Sequence, residues 1–133
     1  MTEEEIELLQ RIEEFGGPGR NQGSILSFYP TDEFLTELTR RYNVEVACVF
    51  TMGIDAHYLW TGTSDSIMLP ITTEPNFEIL IKHTHPRGTM MPSIYDVRWL
   101  LDAQNIGSPQ VKSLILPMYG DRFSFDINSN YLE

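Results

Sequence analysis

Cysteine occurs once in this chain, and a lone Cys48 rules out an internal disulfide or a metal site built from several thiolates. Histidine is nearly as sparse, with three residues. No apolar run approaches the roughly 18 residues that a membrane helix requires. The opening Met1-Thr2-Glu3-Glu4-Glu5 has neither the basic nor the apolar region of a secretory signal, so a cytoplasmic protein is expected. Cations are scarce too. Nine Lys and Arg face nineteen Asp and Glu, and the net charge of -10 argues against non-specific nucleic-acid binding. That charge suits a basic protein partner, although solubility explains it equally well.

What is present suffices for one domain: 133 residues, 41% of them hydrophobic, can bury a real core. Residues 2–14 are helical in pattern, with Ile6, Leu9 and Ile12 near one face and acids in the first turn, where the helix dipole favours them. Phe15-Gly16-Gly17-Pro18-Gly19 then breaks the chain, and a polar loop runs to Gly23. Residues 1–23 are therefore expected to be an accessory helix on a flexible Gly-rich tether, and residues 24–133 the main domain. A second helix is expected over 31–41, with Phe34, Leu35 and Leu38 turned inward. Residues 44–51 read as a buried strand. Val44, Val46, Cys48 and Phe50 line one face, and Ala47 and Val49 line the other beside Glu45. Cys48 is then a small core hydrophobe. Short strands are expected at 57–60 and 66–69, a longer one over 77–82, and a helix over 93–104 ending near Gly107. A hairpin of 111–116 with 122–126 closes the chain. No repeat or low-complexity segment interrupts this order, which predicts a single mixed α/β or α+β domain.

The chemistry concentrates between His83 and Asp96. Phe77, Ile79, Ile81 and His83 alternate along one strand, and His85 follows on the same side, so two imidazoles aim at one point. A short loop bearing Pro and Gly returns the chain to the helix that carries Asp96. Two imidazoles and a carboxylate form a three-ligand cradle for zinc, with the fourth position left to water. Ser93, three residues before Asp96, also matches a helix capping box, and the two roles coexist because a cap fixes the helix start near the histidines. Glu45 sits in a strand apolar on both faces and is expected away from bulk water, where an ionised carboxylate needs a partner. Beside a metal it could take a proton from water. A strand-end position reaching solvent is the alternative. His57 is isolated, at the surface or in the core. Trp60 and Trp99 are expected to pack, as are the loop residues Met90 and Met91, for which substrate contact is a second role.

His83-Thr84-His85-Pro86-Arg87-Gly88, followed by Pro92-Ser93-Ile94-Tyr95-Asp96, resembles the signature of the JAMM (JAB/MPN) zinc metalloprotease superfamily. That signature runs His-x-His, seven residues, serine, two residues, aspartate, with a glutamate some tens of residues upstream. Pro86 to Pro92 supply the seven. Glu45-Val46-Ala47-Cys48-Val49-Phe50, after the helix over 31–41, suits the upstream glutamate, with Glu37 in reserve and Glu74 and Glu78 behind it. The resemblance spans roughly Thr31 to Asp126. It points to the short prokaryotic branch, whose conflict-system and polymorphic-toxin members carry landmarks similar to Leu69-Pro70, His83 to Pro86 and Gly107-Ser108-Pro109.

The resemblance implies a curved mixed sheet flanked by helices over residues 24–133. It also implies one zinc per chain held by His83, His85 and Asp96, Glu45 as proton acceptor, and Ser93 as donor to the developing oxyanion. The implied reaction is hydrolysis of a peptide or isopeptide bond in a protein or peptide substrate, with ubiquitin-like or sulfur-carrier C-termini as the suggested class. The long insertions with which eukaryotic members grip ubiquitin have no counterpart here, which argues against ubiquitin itself. A toxin context would make the domain part of a larger secreted chain.

Other classes compete. PHP-type phosphoesterases also place His-x-His after a strand, but they need more histidines than the three in this chain. A non-catalytic binding or assembly module of the same fold would usually lose ligands, and every ligand position here is filled. A toxin or immunity module differs in biological role rather than in chemistry.

Overall fold

The computed structural model describes residues 1–87 and 91–132. Along them run α1 (Glu3–Glu14), β1 (Gln22–Leu26), α2 (Asp32–Tyr42), β2 (Val46–Thr51), β3 (Ala56–Thr61), β4 (Glu78–His85), α3 (Ile94–Asn105), β5 (Lys112–Pro117) and β6 (Phe123–Asp126). The strands form one mixed sheet in the order β1-β3-β2-β4-β5-β6, antiparallel except where β4 and β5 run parallel. The result is the expected mixed α/β architecture.

Each face of the sheet carries its own core. Alternation along β2 sends Val46 and Cys48 to one side, where Phe34, Leu35 and Leu38 of α2 and Leu9 of α1 cover them. Ala47 and Val49 face the other side with Leu80. There α3 contributes Val97 and Leu100 to a cluster with Ile115 and Phe125. Full burial of a large apolar side chain such as Leu35 is typically worth about 1.5–3 kcal/mol. The helix expected on a tether instead lies on the main core. Leu9 is buried in it, and the buried Glu5 carboxylate accepts the Thr31 N–H at 2.7 Å, joining the start of α1 to the cap of α2.

Two further expectations are corrected. Residues 66–69 form no strand, because β3 already has β1 and β2 on its two edges; Ile67 and Leu69 instead pack from a loop onto the Ala47 cluster. Strand β1 begins at Gln22, inside the polar loop expected to run to Gly23, and Gln22–Leu26 is largely exposed. It is an edge strand held by backbone pairing to β3, and a Cβ at Gly23 would come within 2.5 Å of the Trp60 ring.

The feature that places the site is a β-bulge in β4. Cys48 pairs with Lys82 and Val49 with Leu80, which leaves Ile81 without a partner on β2. Ile81 packs toward the α2 core, and Lys82, its neighbour, reaches the same way. The expected row Phe77, Ile79, Ile81, His83 is therefore broken. His83 shares its face with Leu80 and Ala47, not with Ile81. Lys82 secures the bulge: its buried ammonium donates to Pro30 O at 2.9 Å and to Asp32 Oδ1 at 2.7 Å, and lies over the Tyr29 ring. Arg122 also donates to Asp32.

Burial alone would raise the Asp32 pKa, but the bonds and charges of Arg122 and Lys82 prevail and hold it below its ordinary 3.8. A depressed carboxylate stabilises the fold above its unfolded pKa, and that contribution is lost as pH falls toward the folded value. Asp32→Asn should therefore destabilise the protein by about 2–4 kcal/mol at pH 7, since Lys82 keeps a buried charge with one partner removed. In urea titrations the gap from wild type should narrow as pH drops to about 3.

Candidate metal centre

Glu45 enters the site from the start of β2. Asn43 ends α2 in the left-handed conformation, at φ 52°, and turns the chain into the sheet. Glu45 then extends the β2–β3 ladder: its N–H donates to Thr63 O at 2.8 Å, and its C=O accepts the Gly62 N–H at 2.9 Å. Only glycine fits at position 62, where a Cβ would lie 2.0 Å from Ser66 O. His83 and His85 lie at the C-terminal end of β4. Because β5 runs parallel to β4, the chain must cross over between them, and α3 forms that crossover. Its first turn begins beside the histidines.

The start of α3 is a capping box. Ser93 Oγ accepts the Asp96 N–H at 3.2 Å, and Asp96 Oδ2 accepts the Ser93 N–H at 2.9 Å. The capping and ligand readings of this segment thus coexist, since the same carboxylate faces both imidazoles. His83 Nε2 lies 3.2 Å from Asp96 Oδ1, and His85 Nε2 lies 3.2 Å from Oδ2. The two Nε2 atoms are 3.1 Å apart. Glu45 Oε1 stands farther off, 4.0 Å from His83 Nε2. Donor atoms of Glu45, His83, His85 and Asp96 all lie within 4.8 Å of one another, and this buried group can hold a metal ion. His83 Nδ1 has no partner among the described residues, nor does the indole nitrogen of Trp99.

The two carboxylates are driven in opposite directions. Burial pushes Glu45 up, and the negative charge of Asp96 adds to it, to about 8 from an ordinary 4.5. Asp96 is buried as well, but the charge of His83 and hydrogen bonds from His83, His85 and the Ser93 amide hold it well below the usual carboxylate range. A cation bound at the cluster would oppose the Glu45 shift by favouring the ionised carboxylate.

The other sequence candidates lie elsewhere. Glu37 pairs with Arg40 and Arg41 on the outside of α2, and Glu78 accepts a hydrogen bond from Thr51 at the far end of β4. Glu74 precedes a cis proline in the loop between β3 and β4. His57 stacks against Tyr29 and Phe50, away from the cluster. Met90 lies outside the described residues.

Two hollows adjoin the cluster. One, of about 30 Å³, is lined by Glu45, His83, Asp96, Leu80 and Trp99. The other is a cleft of about 310 Å³ lined by Glu45, His85, Arg87, Met91, Ser93 and Tyr95. A larger hollow of about 560 Å³ between α1 and β1 is lined by none of Glu45, His83, His85 and Asp96. Arg87 and Asp65, paired at 2.8 Å on the cleft wall, were not foreseen, because only the fold brings their loops together. Trp99 was read as packing, yet it also walls the small hollow beside the cluster.

Compared with protein-family models, curated proteins and solved structures, the chain has no match. Among the described residues no helix is long and apolar enough to cross a membrane.

A carboxylate whose pKa is raised on folding binds more protons in the native state, so its stabilising effect is lost as pH climbs from the unfolded to the folded value. Metal-free protein should therefore lose stability between its ordinary 4.5 and about 8. Thermal melts in chelator across that range should show the loss in wild type and much less of it in Glu45→Gln. Added divalent metal should restore the wild-type melting temperature at the alkaline end, and should not do so for His83→Ala.

Proposed function

We propose that the chain is a zinc-dependent metallopeptidase of JAMM type that hydrolyses a peptide or isopeptide bond. The observation that carries this reading is the spacing of the donor groups. Zinc bonds of about 2.0–2.1 Å in a tetrahedral site set ligand atoms about 3.3 Å apart. The Nε2 atoms of His83 and His85 are 3.1 Å apart, and each lies 3.2 Å from one oxygen of the Asp96 carboxylate, Oδ1 for His83 and Oδ2 for His85. Glu45, at 4.0 Å from His83, stands farther off than these three, where a proton acceptor rather than a ligand belongs. Two neutral imidazoles with one carboxylate are also a usual donor set for catalytic zinc.

Zinc held there would supply Lewis acidity at the scissile carbonyl and make water nucleophilic near neutral pH. The remaining work falls to the chain. His83, His85 and Asp96 hold the ion, with Asp96 kept ionised by its hydrogen bonds. Glu45 takes the proton of the attacking water and passes it to the leaving nitrogen, which lets the amine depart neutral. Ser93 Oγ uses a lone pair for the Asp96 N–H, so its own proton remains to be donated to the developing oxyanion. The 310 Å³ cleft beside His85 offers room for substrate side chains, while the 30 Å³ hollow beside Trp99 admits only a small group. Ubiquitin-like or sulfur-carrier C-termini are the substrate class to try first.

Metal content by plasma mass spectrometry tests the reading directly. About one zinc per chain is expected in wild type and Glu45→Gln, and none in His83→Ala. Against a panel of peptide and isopeptide substrates, Glu45→Gln should lower turnover by roughly 10²–10⁴-fold. Ser93→Ala should lower it by about 10²–10³-fold. Wild-type protein that takes up no zinc even after reconstitution would defeat the hydrolase reading and favour a binding module.

A further inference from the structure

Thr84, between the two histidines, turns to the opposite face of the sheet and is fully buried there. Its Oγ1 accepts the Val46 N–H at 2.9 Å and lies 2.5 Å from Thr39 Oγ1 on α2. Val46 directly follows Glu45. Along the β2–β4 ladder, Ala47 against His83 is the last pair, and one step further the Val46 amide meets a side chain instead of a β4 carbonyl. The Thr84 hydroxyl thus replaces a rung of the ladder at the point where β2 begins. The backbone of Glu45 is tied on its other side to the segment after β3, through Thr63 and Gly62. Those bonds hold Glu45 to β3. Beyond the Ala47–His83 pair, the Thr84 hydroxyl holds the start of β2 to the strand that carries the histidines.

Resting on the reading of the cluster as a metal centre with Glu45 as its base, we propose that Thr84 is a positioning residue. Its hydroxyl clasps the start of β2 to β4 and so sets the separation of Glu45 from His83 and His85. His83 and His85 flank Thr84 on β4 but meet Asp96 on the opposite side of the sheet, away from the clasp. Glu45 depends on the clasp directly, since it is one bond from the clasped residue. Removing the hydroxyl strands a buried N–H, and the start of β2 must shift to find it another partner. The clasp therefore separates two properties that a merely structural threonine would lower together. Metal binding survives its loss, while the surroundings of the bound ion change.

The test loads wild type, Thr84→Val, Thr84→Ser and Glu45→Gln with Co²⁺ and reads metal content, visible absorption and melting temperature for each. Thr84→Val keeps the shape without the hydroxyl. It should still bind about one ion per chain, but its visible band should move toward that of Glu45→Gln. Thr84→Ser, which keeps the hydroxyl, should overlay wild type. With a cleaved substrate in hand, turnover of zinc-loaded Thr84→Val should fall about 10–100-fold with little change in KM. A Thr84→Val band superimposed on wild type, with only the melting temperature lowered, overturns the proposal. If Thr84→Val does not fold, Thr84→Ser decides: an unchanged band supports the clasp, and a displaced one overturns it. Wild-type protein that takes up neither Co²⁺ nor Zn²⁺ overturns the metal-centre reading, and this proposal with it.

Discussion

Between Leu80 and His83, β4 holds one residue more than β2 can pair, and that surplus decides which way the histidines face. Strict alternation from Ile79 and Ile81 would have carried His83 into the same row. The bulge instead lets Ile81 and Lys82 both face α2, and the next residue emerges on the side of α3. A bulge that leaves a lysine buried needs compensation, because an unpaired ammonium in the interior is costly. Pro30, Asp32 and the Tyr29 ring provide it at the start of α2. The α2 cap, the bulge and the histidines are thus one mechanical unit.

From there the rest of the cluster follows by connection. Behind β4, Lys82 and Thr84 are held by α2; in front of it, His83 and His85 meet Asp96. The parallel pairing of β4 with β5 forces a crossover, and the start of α3 lands beside the end of β4. The capping box then fixes the Asp96 rotamer, so one carboxylate both ends the helix neatly and faces two imidazoles.

Two buried carboxylates a few ångströms apart would repel each other if both were ionised without partners. Here the number of donors separates them. Asp96 receives hydrogen bonds from two rings and an amide and stays charged, whereas Glu45 has burial and the charge of Asp96 working against it. Pairs of acids whose environments push them apart are how one site houses two chemical roles, here a ligand and a proton acceptor.

Much of this was legible from residue order alone. The helices over 2–14, 31–41 and 93–104 follow from apolar spacing and cap residues, and each is present within a residue or two. The two-faced strand at Val46–Thr51 follows from period-two alternation. The spacing from His83 to Asp96 named every donor that the structure gathers, and Glu45 was named with them. Pairing was not legible. Gln22–Leu26 is a strand because β3 offers it an edge, and residues 66–69 do not join β3, because both of its edges are already taken. The row of residues that accompanies His83 depended on a bulge, whose signature is a neighbour's register rather than a local pattern. Nor could spacing bring Asp65 to Arg87, or Thr84 to the amide of Val46. Periodicity and capping act over a few residues, so the sequence by itself determined the elements and the donor set. Register, edges and the separation of Glu45 from the histidines arise between distant segments, and only the tertiary structure decided them.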